Sequence, residues 1–249
     1  MNHTPAAFHG AAALLAVISL SACATTQTAD LTTDPYEGFN RQMFAFNDGL
    51  DKAVIEPVAK GYRAVTNEPV RAGVSNFVSN LGEPVTFANE VLQGKIPQAA
   101  GTVGRFVINT TIGIAGLFNP AKSFGIERTD EDFGQTLGVW GVEPGPYLVL
   151  PFLGSSSPRD LAGMGADTAL DPLNYAQFDG DDATRVGILV LKGLSGREEA
   201  IEAIDGVRQQ IDPYTTARRF YVRNRAALVG NSAPASQQNE KLPDYELDF

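Results

Sequence analysis

The sequence predicts an all-α domain that carries one short hairpin rich in glycine and proline. Two observations predict the helices: apolar residues recur at spacings of three and four, and Glu-Pro dipeptides open several of the apolar segments. Proline needs no N–H at a helix start, and glutamate complements the helix dipole there. The hairpin is predicted at 134–154, where glycines and prolines flank the short alternating run Tyr147-Leu148-Val149-Leu150.

The first 22 residues are typical of an export signal. An apolar run at 11–20 precedes small residues and the chain's single cysteine, in the order Leu20-Ser21-Ala22-Cys23. The run is shorter than the roughly 20 apolar residues that a transmembrane helix needs. Leu-Ser-Ala-Cys resembles a bacterial lipobox, which predicts lipidation of Cys23 and a polar tether at 23–33. The alternatives are an ordinary signal peptide and a buried structural cysteine.

The composition after the predicted cut leaves little for catalysis. Both histidines, His3 and His9, precede the cut, and a lipid would occupy the only thiol. This excludes histidine-based triads, cysteine nucleophiles and zinc sites built on imidazole or thiolate. The stretch Gly193-Leu-Ser195-Gly196 lacks the spacing of a hydrolase elbow. We therefore expect no catalytic residue, no cofactor and no metal, hence not an enzyme.

The charge pattern also narrows the possible partners. The net charge of −10 argues against nucleic acid and against electrostatic binding to anionic headgroups. Two acidic runs, at 130–132 and 179–182, could hold Ca²⁺, but neither has the spacing of a known calcium loop, and a capping or loop role is favoured. The one basic segment, at 218–225, is interpreted as a solvated helix face.

The helical domain is predicted over 34–230. Asp34 is expected to cap the first helix, with Pro35 at its first position. Apolar residues then lie on one face of this helix: Phe39, Met43, Phe46 and Leu50. Further helices are predicted at 56–65, from 68, at 83–94, 96–118, 160–170, 182–210 and 213–228. Residues 231–249 are rich in serine, glutamine and acidic residues, which predicts a disordered tail.

Two stretches are unusually apolar. Residues 106–121 carry no charge and predict a buried or an interfacial helix. Residues 140–158 carry one charge and four prolines. They are interpreted either as core or as a loop that packs against lipid or lines an amphipathic cavity. Neither stretch can cross a bilayer as an uninterrupted helix.

Motifs along the whole domain resemble those of one family, the MlaA/VacJ lipoproteins. The motifs that carry the resemblance are Asp34-Pro-Tyr-Glu-Gly-Phe-Asn-Arg41, Phe46-Asn-Asp-Gly-Leu50, Pro57-Val-Ala-Lys-Gly-Tyr-Arg63, Ser75-Asn-Phe77, Asn80-Leu-Gly-Glu-Pro84, Leu92-Gln-Gly94, Gly104-Arg-Phe-Val-Ile-Asn-Thr110, Asp132-Phe-Gly-Gln-Thr-Leu-Gly138, Gly145-Pro-Tyr147, Leu150-Pro151 and Asp212-Pro-Tyr214. They cover about 34–225 in the order of the family.

The resemblance implies a ring-shaped helical protein around an amphipathic channel, set in the periplasmic leaflet of the outer membrane. It implies that phospholipids misplaced in the outer leaflet pass through that channel to a soluble periplasmic carrier and return to the inner membrane, which maintains lipid asymmetry. It also implies a trimeric outer-membrane porin as a neighbour. The alternatives are a structural adaptor that organises porins or the envelope, and a lipid hydrolase, which the missing catalytic groups disfavour.

The hairpin is the element that we expect at the channel. Its expected channel residues are Gly134, Gly138, Trp140, Gly141, Gly145, Pro146, Tyr147, Leu150 and Pro151. Glycines there would permit tight turns and movement. The residues expected to support the hairpin are Phe39, Asn40, Phe106 and Asn109.

Overall fold

The computed structural model of the chain describes residues 34–177 and 180–230. The predicted signal, Cys23 with its tether, and the predicted tail lie outside the described residues. The described helices are α1 Glu37–Leu50, α2 Glu56–Val65, α3 Glu68–Leu92, α4 Ile96–Thr111, α5 Pro120–Ser123, α6 Phe133–Val139, α7 Pro158–Leu170, α8 Asp181–Glu199, α9 Ile201–Arg208 and α10 Pro213–Val229. Two strands, β1 Leu148–Leu150 and β2 Gly154–Ser156, form an antiparallel pair between α6 and α7. The prediction of a helical fold with one small hairpin is confirmed.

The first helix begins later than predicted. Tyr36, and not Asp34, precedes its first residue, and its side chain makes no capping hydrogen bond. Asp34 instead accepts a hydrogen bond from the Tyr36 amide (3.1 Å) and one from the Asn40 side chain (3.1 Å). After Leu50, the helix passes through one π-helical turn, Asp51–Ile55, directly into α2.

The predicted helix start at Glu83-Pro84 is wrong. α3 runs unbroken through Pro84 and is capped at its start by Asn67, which accepts a hydrogen bond from the Val70 amide (3.1 Å). Proline removes one backbone hydrogen bond from a helix interior. The helix continues because Asn80 and Glu83, in the turn before Pro84, bond to Thr110 and Arg105 of the antiparallel α4.

Two other predicted helices were too long. α4 ends at Thr111 and not near 118, because the chain turns through three left-handed residues, Ile114, Ala115 and Gly116. The predicted helix at 182–210 is two helices, α8 and α9, interrupted at Ala200, whose ψ of 4° leaves the helical region.

The interior of the described part of the chain is polar. Among its residues, eighteen polar or charged side chains are buried but only seven apolar ones, and three of those seven are alanines. The buried polar residues of α3 and α4 are Asn80, Glu83, Thr86, Asn89, Glu90, Thr102, Arg105 and Asn109. The same two helices expose large apolar side chains on their outer faces, namely Val70, Phe87, Val91, Leu92, Ile96, Val103 and Val107. Part of the apolar surface of these helices therefore faces outward, while Val74, Phe77 and Leu81 of α3 are half-buried.

Hydrogen bonds and ion pairs join the polar faces of α3 and α4. The Asn80 side chain donates a hydrogen bond to the Thr110 hydroxyl (2.9 Å). Arg105 forms an ion pair with Glu83 (3.2 Å), and the side chains of both residues of this pair are almost inaccessible to solvent. Burial raises the pKa of Glu83, although the charge of Arg105 opposes the shift. In water such a seam is less favourable than apolar packing, whereas against lipid, polar side chains hold helices together.

Contacts between the elements form a closed circuit. α1 continues into α2, which packs on α8, and α8 packs on α3. From α3 the circuit passes through α6 to α10, then to β2, and β1 returns it to α1. The first and last helices are also joined directly, since Arg41 pairs with Asp212 (2.8 Å) and lies over the Tyr214 ring at 4.4 Å. No helix within 34–177 and 180–230 is long and apolar enough to span a membrane.

Candidate functional site

The hairpin is shorter than predicted. Its strands pair Leu148 with Ser156 and Leu150 with Gly154, and residues 151–153 form the connection. Phe152 adopts a left-handed backbone (φ 66°), and its side chain is 76% exposed. The tip thus presents aromatic and aliphatic surface outward, although a bulky residue at positive φ is unfavourable.

Two asparagines of α1 clamp the first strand of the hairpin. The Asn40 side chain donates to the Tyr147 carbonyl (3.0 Å) and accepts from the Val149 amide (2.8 Å). The Asn47 side chain repeats this pattern, donating to the Leu150 carbonyl (2.8 Å) and accepting from the Phe152 amide (2.9 Å). Each side-chain amide therefore takes the place of a peptide group of a neighbouring strand.

The clamp fixes the hairpin at two depths. Asn40 has no exposed surface, so its two hydrogen bonds to the strand are shielded from water. Asn47 is half-buried, and its bond to Phe152 lies at the surface. Phe46 adds an edge-to-face contact with the Phe152 ring, at 5.6 Å between centroids. The root of the hairpin is therefore rigid, while its tip is held only by contacts that water can reach.

An aromatic cluster lies under the hairpin. Tyr147, Val149 and Tyr214 are buried together, with Met43, Phe44, Tyr221 and Val222 packed around them. The Tyr147 ring meets the rings of Tyr214 and Tyr221 at 6.2 and 5.6 Å. Burial raises the pKa of Tyr147, whose hydroxyl shares a hydrogen bond with Ser155 of β2 (2.7 Å). This cluster joins the hairpin to α1 and α10.

A charged cluster borders the second strand. Arg225 of α10 donates to both carboxylate oxygens of Asp132 (2.6 and 2.9 Å) and to Asp160 (2.9 Å). Burial alone would raise the pKa of both aspartates. The hydrogen bonds and charge of Arg225, together with hydrogen bonds from Gln135 to Asp132 and from Tyr221 to Asp160, outweigh it, so both pKa values lie below their usual range. Asp167 forms no ion pair with a basic side chain in the described residues, and burial raises its pKa. The cluster lines a cavity of about 190 Å³ together with Ser155, Ser156, Met164 and Tyr221.

Two of the expected channel glycines belong to α6 and not to the hairpin. Gly134 and Gly138 lie where helices pack closely: a Cβ at Gly134 would come within 2.7 Å of the side chains of Arg225 and Asp160. Their role is close packing. Gly141 (φ 90°) and Gly145 (φ 73°) lie in the connection before β1, where the left-handed backbone requires glycine.

The remaining expected channel residues flank β1. Tyr147 and Leu150 are in contact with α1 through the clamp, and Pro146 and Pro151 lie just before and after the strand. Trp140 ends α6, is 53% exposed, donates to the Leu92 carbonyl (3.1 Å) and lies against Phe133. It is therefore attached to α3 and not to the strands.

Of the four expected supporting residues, Asn40 contacts the hairpin directly. Phe39 is exposed on α1, next to the clamp. Asn109 is buried but bonds to Asn119 (3.2 Å) and to the Ala121 amide (3.1 Å), so it joins α4 to α5. Phe106 lies half-buried on α4. Phe106 and Asn109 therefore lie on α4 and not on α1, whose asparagines hold the hairpin.

The sequence reasoning missed Asn47, Tyr221 and Arg225. Asn47 lies seven residues after Asn40, a spacing that places both on one face of a helix and could have indicated a paired role. Tyr221 and Arg225 gave no comparable signal, because their partners Asp132 and Asp160 are more than 60 residues away in the chain.

The acidic runs considered for Ca²⁺ are engaged elsewhere. Asp130 pairs with Arg128, Glu131 with Lys95 (2.6 Å) and Asp132 with Arg225. In the second run, Asp181 and Asp182 both pair with Arg185 (3.1 and 3.2 Å), and residue 179 lies outside the described residues. Within the ranges that the structure covers, no group of three or more histidine, cysteine or acidic side chains could hold a metal ion.

A helical body with polar residues inside and apolar residues outside is typical of helical proteins that work in contact with lipid. The particular family is the MlaA lipoproteins: the model of that family, described as "MlaA lipoprotein", matches residues 32–228, and the chain belongs to it.

Relatives and a solved structure agree with this assignment. The chain is 35% identical over 239 residues to the Escherichia coli "Intermembrane phospholipid transport system lipoprotein MlaA", with 92% of each chain covered. The protein of that name from Haemophilus influenzae is 34% identical over 238 residues, covering 93% of this chain and 94% of the relative. An uncharacterized protein of Rickettsia typhi is 41% identical over 198 residues, covering 79% of this chain and 78% of the relative. A solved structure described as "Structural basis for maintenance of bacterial outer membrane lipid asymmetry" superposes with a TM-score of 0.70 at 36% identity, covering 79% of this chain and 99% of the other.

Proposed function

We propose that this protein is an outer-membrane lipoprotein that takes misplaced phospholipids from the outer leaflet and passes them to a soluble periplasmic carrier, so that lipid asymmetry is maintained. The observation that carries the proposal is the inverted burial: polar side chains fill the interior of the helical body while its helices expose apolar faces. A body of this kind can lie among acyl chains and still offer a polar path to a headgroup. The named relatives in E. coli and H. influenzae carry a phospholipid-transport description.

The closed circuit of contacting elements supports an enclosed passage for the lipid. The hairpin is the part of this circuit that is built from only two strands, and a two-stranded ribbon is marginally stable by itself. Its first strand depends on Asn40 and Asn47 for its outer edge, and the tip of the hairpin is exposed. We assign it the role of the moving element that admits or releases lipid.

The proposal includes a lipid anchor on Cys23 that holds the protein to the periplasmic leaflet of the outer membrane. Two or more acyl chains hold a protein stably to a membrane, whereas one does not. A trimeric porin is proposed as the partner that binds the apolar exterior of the protein and holds the protein close to the outer leaflet. A structural adaptor remains the second candidate, because a helical body with an apolar exterior could also organise porins without moving lipid.

Reconstitution tests the proposal. The purified protein, in vesicles with its porin and radiolabelled phospholipid, is mixed with the soluble carrier, and the label on the carrier is measured. Transfer of intact lipid supports transport. No transfer supports the adaptor, and labelled free fatty acid supports a hydrolase.

A Gly141→Pro variant tests the role of the hairpin in the same assay. Proline cannot adopt the φ of 90° found at Gly141, so the chain before β1 must change its path. We expect less lipid transfer with unchanged membrane association. Undiminished transfer by this variant would remove the hairpin from the mechanism.

A further inference from the structure

A buried carboxyl group without a positive partner lies between α3, α4 and the connection from α5 to α6. Glu90 of α3 has no exposed surface. Within the part of the chain that the structure describes, it forms no ion pair with a basic side chain. Other acidic residues of this region are paired: Glu83, two turns earlier on α3, with Arg105 (3.2 Å), and Glu131 with Lys95 (2.6 Å). One negative charge is therefore left uncompensated here.

Several oxygen atoms surround this carboxylate. Its Oε1 atom accepts a hydrogen bond from the Thr129 hydroxyl (2.5 Å), which lies 3.3 Å from the hydroxyl of Thr102, a buried residue of α4. Its Oε2 atom is buried and has no hydrogen-bond partner among the described residues. Gln93, one helical turn after Glu90, also has a buried side-chain oxygen without a partner there, while its nitrogen donates to Glu131 (2.9 Å). Oxygen atoms from three separate segments therefore meet around Glu90.

The two threonine hydroxyls have lone pairs available. Thr129 donates its single proton to Glu90, so it can only accept from Thr102. Thr102 donates its own proton to Thr129 in this arrangement. Because a hydroxyl oxygen has two lone pairs, each threonine oxygen keeps at least one lone pair for a cation.

The chemistry of these ligands indicates the kind of ion. An ionised carboxylate is costly to bury unless a positive charge balances it. Carboxylate, hydroxyl and amide oxygens are the ligands of hard cations. Calcium sites usually collect several carboxylates, whereas here one uncompensated carboxylate lies among neutral oxygens, which matches a single positive charge. The set differs from the acidic runs considered in the sequence because most of its members are neutral.

We propose that one monovalent metal cation, sodium or potassium, binds here and is held by oxygen atoms of four side chains: Glu90, Gln93, Thr102 and Thr129. The ion balances the buried charge and fastens the connection from α5 to α6 onto the α3–α4 pair. This connection ends at Asp132, the residue that caps α6. The ion therefore stabilises the segment that leads into α6 and on to the hairpin. The inference does not depend on lipid transfer.

Thermal unfolding of the full protein in a non-ionic detergent tests the proposal. The fluorescence of Trp140 is followed in chloride salts of sodium, potassium and N-methylglucamine, a large organic cation, at equal ionic strength. With sodium or potassium, we expect the melting temperature to rise by roughly 3–6 °C above its value in N-methylglucamine and to saturate with concentration. Equal melting temperatures in the three salts would overturn the proposal. A rise that only Ca²⁺ or Mg²⁺ produces would also overturn it, because the charge balance requires a monovalent ion.

Two matched variants locate the ion. Glu90→Gln keeps the size of the side chain and removes its charge, so the rise with sodium or potassium should disappear. The variant should still fold, because no basic side chain loses a partner. Glu127→Gln removes an exposed carboxylate from the same connection and should keep the full rise. A rise that persists in Glu90→Gln, or one that disappears equally in both variants, would contradict the assigned site.

A third variant tests the site without changing its charge. Thr102→Val removes one hydroxyl ligand and leaves Glu90 in place. We expect the half-saturating concentration of sodium or potassium to increase several-fold, while the melting temperature in N-methylglucamine shows that the variant is folded. An unchanged half-saturating concentration would exclude Thr102 as a ligand and overturn the site as assigned, whatever the behaviour of Glu90→Gln.

Discussion

Replacement of Asn40 by alanine tests how firmly α1 holds the hairpin. Asn40 is fully buried and satisfies two backbone groups of β1, the Tyr147 carbonyl and the Val149 amide. Each buried group that loses its partner costs about 1–3 kcal/mol. We therefore expect Asn40→Ala to lower the free energy of unfolding by about 2–5 kcal/mol, and the melting temperature by roughly 5–15 °C for a domain of this size.

The matched control is Asn47→Ala. It removes the same pair of bonds from the hairpin, but the Phe152 amide is exposed, so water can replace the lost partner. Its expected cost is about 0.5–1.5 kcal/mol. Thermal unfolding in detergent, followed by Trp140 fluorescence, measures both variants. Amide hydrogen exchange should also accelerate at Val149 in the first variant and at Phe152 in the second. If Asn47→Ala lowered the free energy of unfolding as much as Asn40→Ala or more, the buried asparagine would not be the stronger of the two attachments, and the clamp would be refuted.

Two further predictions concern packing and pH. A Cβ at Gly163 would lie 2.3 Å from the Gly134 backbone nitrogen, so Gly163→Ala should destabilise the protein by about 2 kcal/mol or more. A Cβ at Gly165, on the same helix, would meet open space, so Gly165→Ala should raise the free energy of unfolding by up to about 1 kcal/mol. Denaturation of both variants in urea measures this, and a gain in both would contradict the close α6–α7 contact. The pKa of Asp132 is lowered in the folded state, so its stabilising effect is full above the unfolded pKa of about 3.9 and is lost as the pH falls through the folded pKa. Asp132→Asn should therefore be less stable than the parent at pH 7 and lose less stability on acidification from pH 6 to pH 3, and parallel pH profiles would rule out this linkage.

Local signals in the sequence predict the elements well but not their ends. Proline in the first turn correctly predicted the starts of α2 and α10. The same reasoning divided α3 at Pro84, because it weighs the lost hydrogen bond and not the packing of Asn80 and Glu83 on α4. It extended α4 through residues 112–118, because a left-handed isoleucine has no local signal.

The candidate site was predictable only in part. The hairpin and Asn40 could be found from turn residues and from the family motifs. The charged cluster could not, because Arg225 of α10 meets Asp132 and Asp160 only through the packing of α10 on elements more than 60 residues earlier in the chain. Their side chains have no periodicity that would indicate a shared location.

The inverted interior explains why pattern alone could not orient the helices. An amphipathic helix has the same periodicity whether its apolar stripe faces a core or a lipid, because periodicity reports only that the two faces differ. The orientation depends on which polar residues find partners, as Glu83 does with Arg105 and Asn80 with Thr110. Buried asparagine, glutamate and threonine at helical spacing, opposite an uncharged stripe, are therefore the combination that indicates a lipid-facing surface. We therefore expect the α3–α4 pair to be more stable in a membrane than in water, because water competes for the hydrogen bonds of its polar seam and lipid does not.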